Sequence, residues 1–124
     1  TGYYYSGVHE SPENKAFLAS LAKVSPSAVA NPYTVSAFDG AHVLYKMIEA
    51  AGTEKNAAKA MEAVKGLSWN SPRGPIKIDA VTRDVVQNVY MRKVERDASG
   101  KLVNREFKTY EMQRDYGREG AGKP

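Results

Sequence analysis

Two histidines, a pair of nearby aspartates, one serine and one tryptophan are the side chains in this sequence that invite a chemical reading. His9 and His42 stand at no spacing, from each other or from carboxylates, that would place metal ligands on one helix. His42 reads as a surface or packing residue of a helix. Asp79 and Asp84 could act as paired carboxylates or bind a cation, but aspartates between two apolar runs are more simply turn formers. Ser6 lies in Tyr-Ser-Gly, not in the Gly-x-Ser-x-Gly turn that exposes a nucleophile. Gly74 lacks both the companion glycines and the following Lys-Ser/Thr of a phosphate loop. There is no cysteine, which excludes disulfides and thiolate zinc ligands. The expectation is a protein without catalytic residues, bound metal or cofactor. Trp69 has two readings: a plug in the seam between helix and hairpin, or a platform for a ligand.

Composition narrows the classes further. The 124 residues carry a formal net charge of +4, with acidic and basic side chains interspersed, as in Arg92-Lys93-Val94-Glu95-Arg96-Asp97. No basic stripe forms, and nucleic-acid binding needs one to neutralise phosphates, so nucleic acid is not an expected partner. No apolar run approaches the ~20 residues of a membrane-crossing helix. The apolar residues lean towards Ala and Tyr, leaving Leu18, Leu21, Leu44, Ile48 and Leu67 as the dependable core of the helical half. That is thin for an autonomous domain. With Thr1 rather than Met at the start, the chain reads as a fragment of a longer protein.

The elements that must position these residues follow from pattern. The run GYYYSG predicts a strand at residues 3–6. Ser11 as cap, Pro12 in the first turn and Phe17, Leu18 and Leu21 at helical spacing predict a helix over 12–23. After a loop at 24–32, the longest helical pattern covers 33–51 and stops at Gly52. Its expected packing face is Ala37, Ala41, Leu44 and Ile48, flanked by Val35, Phe38 and Tyr45. A third helix is expected over 54–65, capped by Thr53 and ended by Gly66, with Trp69 in the loop beyond. The centre of the sequence is SPRGPIKIDAVTRD, residues 71–84. Prolines bracket Arg73 and Gly74, Ile76 to Ile78 alternate as a half-buried strand, and an acidic turn leads to a long strand over 85–94. The turn DASG then returns the chain along 101–110, and residues 112–124 form a charged, glycine-rich tail.

Three stretches together resemble a known family. They are GYYYSGVHESPEN with the helix ENKAFLASL, then NPYTVSAFDGAHVLYKMIEAAGT with its Ala37-Phe38-Asp39 step, then SPRGPIKIDAVTRDVVQNVYMRKVE. Their order and spacing resemble the C-terminal portion of a type I periplasmic solute-binding protein, of the branched-chain amino-acid-binding class of ABC importers. The resemblance covers residues 2–110, and residues 1–111 are taken as this receptor portion. It implies an α/β fold cut from a two-lobed receptor: one strand, three helices and a β-hairpin. The strand at 3–6 would complete one lobe's sheet, with parallel partners from outside this sequence, and Val8 to Ser11 would cross to the other lobe.

The resemblance also implies a non-enzymatic receptor that takes a small solute between its lobes and delivers it to the membrane permease subunits of an ABC transporter, in the periplasm. Tyr5, His9 and Val35, with Tyr33 as a further candidate, stand where such proteins line the cleft. An amino acid or a small aromatic or aliphatic carboxylate is the expected solute, and the tyrosine-rich strand favours an aromatic one. The alternatives are a ligand-sensing domain of the same fold in a receptor and a small basic nucleic-acid-binding α+β domain. Alone, a piece with open strand edges is expected to dimerise or swap segments.

Overall fold

A computed structural model describes residues 1–53, 55–115 and 117. The elements run β1 (Gly2–Tyr3), α1 (Pro12–Val24), α2 (Pro32–Ala51), α3 (Ala57–Ala63), β2 (Ser68–Ser71), β3 (Gly74–Ile78), β4 (Val85–Arg96) and β5 (Leu102–Gln113). All five strands form one antiparallel sheet centred on β4. One edge of β4 carries β5 along its length, and the other is shared end to end by β3 and β1.

The helix starts obey local capping chemistry. Ser11 caps α1, its Oγ accepting from the Asn14 N–H at 3.0 Å, with Pro12 in the first turn. Asn31 caps α2 by accepting from the N–H groups of Tyr33 and Thr34, while Thr34 Oγ1 accepts in return from the Asn31 N–H. This reciprocal pair starts the helix at Pro32, inside the expected loop. α3 is shorter than expected and is capped by Asn56, not Thr53. Lys55 at φ +52 turns the chain so that Asn56 meets the Lys59 N–H.

Two corrections concern the sheet. Trp69 lies in strand β2, not in a loop: β2 pairs with β3, and Ser71 faces Gly74 across a two-residue Pro72–Arg73 turn. The three strands expected after residue 75 are thus preceded by a fourth, and β2 to β5 form a four-stranded antiparallel meander. The tyrosine strand is only Gly2–Tyr3, and its partner is antiparallel β4, with Tyr3 opposite Tyr90. An open edge of β4 lay within the same chain, and an extended segment hydrogen-bonds to whichever edge it reaches. β5 continues beyond Tyr110 to Gln113 because the Asn88 side chain accepts the Met112 N–H at 3.0 Å. Most of the expected tail lies outside the described residues.

The acidic turns behave as read. Asp79 Oδ1 accepts from the N–H groups of Val81 and Thr82, and these bonds hold its carboxyl below the usual carboxylate range. Asp97 organises the β4–β5 turn in the same way, chiefly through the Ser99 hydroxyl.

The buried cluster is Tyr5, Phe17 and Val35, with Leu18, Leu21 and Ala30 packed against it. Leu44 and Ile48, expected in the core, are 58% and 66% exposed, and Tyr45 also faces outward, while the half-exposed Phe38 meets the core edge-on at Phe17. α2 instead turns Val35 and Asp39 inward. In that rotation Val35 fills the core beside Tyr5 and Phe17, and the Asp39 carboxylate finds the donors that a buried charge requires.

Candidate functional site

The structure separates the sequence-selected residues. Tyr5 and Val35 share the core, 1% and 0% exposed. The Tyr5 hydroxyl donates to Asn14 Oδ1 at 2.9 Å, and burial pushes its pKa up to about 12. Asn14 in turn donates to the backbone carbonyls of Gly7 and His9, which fixes the segment leaving β1. His9 sits apart from this core: its Nδ1 is 2.7 Å from Glu106 Oε2 on β5, and its ring lies 5.0 Å from that of Tyr90. Tyr33 is 82% exposed in the first turn of α2. These four do not converge on one cavity.

A different group does converge, under the inward face of α2. Here a cavity of about 350 Å³ is bounded by Tyr4, Ser36, Gly40, Trp69, Arg73 and Gln87, with Val43 and Ile76 among its apolar surfaces. Each wall is placed by an element already described. Tyr4 follows β1, Ser36 and Gly40 come from α2, Trp69 from β2 and Gln87 from β4. Arg73 comes from the β2–β3 turn. The Tyr4 hydroxyl and Ser36 Oγ are 3.3 Å apart, which ties the segment after β1 to the helix.

Arg73 and Asp39 are the electrostatic centre of this cavity. Both are nearly buried, at 6% and 4% exposure. Arg73 Nε donates to Asp39 Oδ2 at 2.8 Å, and its Nη1 donates to Gln87 Oε1. The guanidinium also lies 4.8 Å from the centre of the Tyr4 ring, a cation–π distance. Ser71 Oγ donates to the same Asp39 oxygen at 3.0 Å, so one carboxylate ties the turn of the β2–β3 hairpin onto α2. The Trp69 indole N–H reaches Asp39 Oδ1 at 3.4 Å, and the His42 ring stacks on the indole at 5.0 Å. Trp69 is thus both seam residue and cavity wall.

Other hollows are less suited to a small organic ligand. One of about 380 Å³ lies beside Gly7, Ala28 and Asn104, with no aromatic wall among the described residues; its cation, Lys101, is exposed. Another, of about 410 Å³, has Trp69 on its border, but Lys77, its cation among the described residues, is also exposed. Tyr4, Asp39 and Arg73 are not among the site residues that the sequence pattern singles out. Asp39 and Arg73 are 34 positions apart, and the available signal was only that both lie in the stretches that carry the family resemblance.

A family model described as periplasmic binding protein matches residues 1–101. The chain belongs to the periplasmic binding protein family. It is 47% identical over 119 residues to Leu/Ile/Val-binding protein homolog 6 of Brucella abortus, a match covering 94% of this chain and 30% of that relative. Among solved structures it resembles a solute binding protein of an ABC transporter from Rhodopseudomonas palustris in complex with p-hydroxybenzoic acid. There the TM-score is 0.87 and the identity 48%, over 94% of this chain and 32% of the other. A second such protein from that species, in complex with 3,4-dihydroxybenzoic acid, gives a TM-score of 0.84 at 38% identity, over 95% and 32% of the two chains. The chain therefore spans about a third of the length of these relatives, and its three helices and antiparallel sheet are one piece of the periplasmic binding protein fold.

Proposed function

We propose that this chain is the C-terminal portion of the solute-binding component of an ABC importer, and that the solute is a small aromatic acid. The observation that carries the reading is the likeness to the receptor bound to p-hydroxybenzoic acid, at 48% identity over 94% of this chain. The receptor works in the periplasm without catalysis, closing two lobes on the acid and presenting it to permease subunits. Residues 1–111 serve the receptor fold. Tyr33, exposed at the start of α2, meets the solute side of the cleft, while Tyr5 and Val35 support that wall from beneath. His9 holds the crossing segment to β5 through Glu106.

Calorimetric titration of the intact receptor tests this. Saturable binding of 4-hydroxybenzoate or 3,4-dihydroxybenzoate, with leucine at least tenfold weaker, is the expected result. Binding of leucine with no response to either aromatic acid would move the protein to the aliphatic amino-acid class.

The bare face of α2 has a consequence for this piece alone. Phe38, Leu44, Tyr45 and Ile48 make an exposed apolar strip of the kind that marks a contact surface. In the receptor it packs on the remainder of the protein; without that partner, the 124-residue chain self-associates as a dimer or a segment-swapped assembly. Sedimentation equilibrium should report a mass of two chains or more, and a monodisperse, folded monomer at high concentration would contradict it.

A further inference from the structure

We infer that the cavity under α2 takes the hydroxylated end of the aromatic acid, with Asp39 and Arg73 as the pair that reads the phenolic hydroxyl. This rests on the aromatic-acid reading and adds to it which end of the solute enters and which substituent is selected. The cavity volume, about 350 Å³, falls within the range of small-molecule sites, roughly 300–1,000 Å³. Tyr4 and Trp69 give it aromatic walls, and Val43, Ile76, Ile78 and Val85 supply apolar surface. A single benzene ring is matched by that lining.

The polar end of the cavity decides the orientation. Asp39 and Arg73 form a pair of zero net charge, so an incoming carboxylate would meet no surplus cation and would lie against an existing carboxylate. A neutral hydroxyl suits the pair better, because it donates one hydrogen bond and accepts another. Both partners have capacity to spare. Asp39 Oδ2 is occupied by Ser71 and Arg73, whereas among the described residues Oδ1 has only the long 3.4 Å contact from Trp69. Arg73 uses Nε and Nη1, and among the described residues no hydrogen bond engages Nη2. The phenol O–H donates to Asp39 Oδ1 and its oxygen accepts from Arg73 Nη2. The acid's carboxylate then points out of this cavity, towards the part of the receptor that lies outside this chain.

A buried pair arranged for a hydroxyl discriminates against the analogue that lacks it, because its own polar atoms are left unpaired. In calorimetry of the intact receptor, 4-hydroxybenzoate should bind about 30-fold or more tightly than benzoate, in line with ~2 kcal/mol for an unpaired buried group. Equal affinities would overturn the inference. If neither acid binds, the aromatic-acid reading itself fails. Gly40→Leu provides the local test: a Cβ at Gly40 meets no heavy atom within 4 Å, so the side chain enters open space at the cavity rim. A folded Gly40→Leu receptor should lose 4-hydroxybenzoate binding, and undiminished affinity with undiminished preference would place the hydroxyl elsewhere. Should that variant not fold, a wild-type crystal with 3-bromo-4-hydroxybenzoate decides: the bromine, ortho to the hydroxyl, must give an anomalous peak between Tyr4 and Trp69. A peak outside that cavity overturns the assignment.

Discussion

Replacing Gly74 by alanine will destabilise the protein by about 3 kcal/mol or more, the sum of a strained backbone and a displaced buried side chain. Gly74 has φ +95, a region that residues with a Cβ occupy only under strain. The added Cβ would also collide with the Tyr90 hydroxyl oxygen. That hydroxyl has little room to move: Tyr90 is 3% exposed, its O–H donates to the Arg73 carbonyl at 2.7 Å, and Asn88 Nδ2 lies 3.3 Å away. The turn that aims Arg73 is thus braced by a tyrosine from β4, and the space it needs exists only because residue 74 has no side chain. Urea denaturation checks the loss; a change under ~0.5 kcal/mol, the scale of a neutral surface substitution, would show the close approach to be inconsequential. Adding Tyr90→Phe to Gly74→Ala should recover part of the loss, because the clashing oxygen is gone, and the two substitutions will therefore be non-additive.

The second large effect lies at Asp39. Alanine there strands the Arg73 guanidinium in a site where it is 6% exposed, and an uncompensated buried charge costs about 3–5 kcal/mol. Ser71 Oγ and the Trp69 N–H lose the same acceptor, so the β2–β3 hairpin loosens from α2. Asn at this position keeps one carbonyl acceptor and should cost less. The double replacement Asp39→Leu with Arg73→Met removes both charges together and should be much milder than Asp39→Ala alone, since apolar groups of similar size can replace a buried pair at little net cost. Thermal unfolding of the four proteins provides the comparison. Equal losses in Asp39→Ala and the double variant would mean that the pair is not the tie between helix and hairpin.

The two sites are connected. Gly74 lets Tyr90 hold the turn, the turn places Arg73, and Arg73 ties the turn to the inward side of α2 through Asp39. The same chain of contacts fixes the polar end of the cavity. A substitution at Gly74 is therefore expected to disturb ligand binding through position alone, whereas one at Asp39 also removes the carboxylate that accepts the phenol O–H.

Local chemistry was legible in the amino-acid sequence wherever a few neighbouring residues decide the outcome. Ser11 with Pro12, the stop at Gly52, the Asp79 turn and the Asp97–Gly100 turn all need nothing beyond their own segment, and they stand where the pattern put them. Family membership was legible too, because three ordered stretches carry it. The Thr53 cap was misread because two adjacent segments each offer a cap, and only the backbone turn at Lys55 selects Asn56. Trp69 passed for a loop residue because its strand partner lies across a turn whose geometry depends on Tyr90.

What only the tertiary structure decided is the side of α2 that faces inward, the partner of the tyrosine strand and the assembly of the cavity. Hydrophobic periodicity pointed to Ala37, Ala41, Leu44 and Ile48, and it identified an apolar face without saying what covers it. The inward face carries Val35 into the core and Asp39 onto an arginine 34 positions away, and β1 pairs with an edge of β4 nearly 90 positions on. Spacing along a chain encodes periodicity and caps; it does not encode which distant donor a buried carboxylate will find.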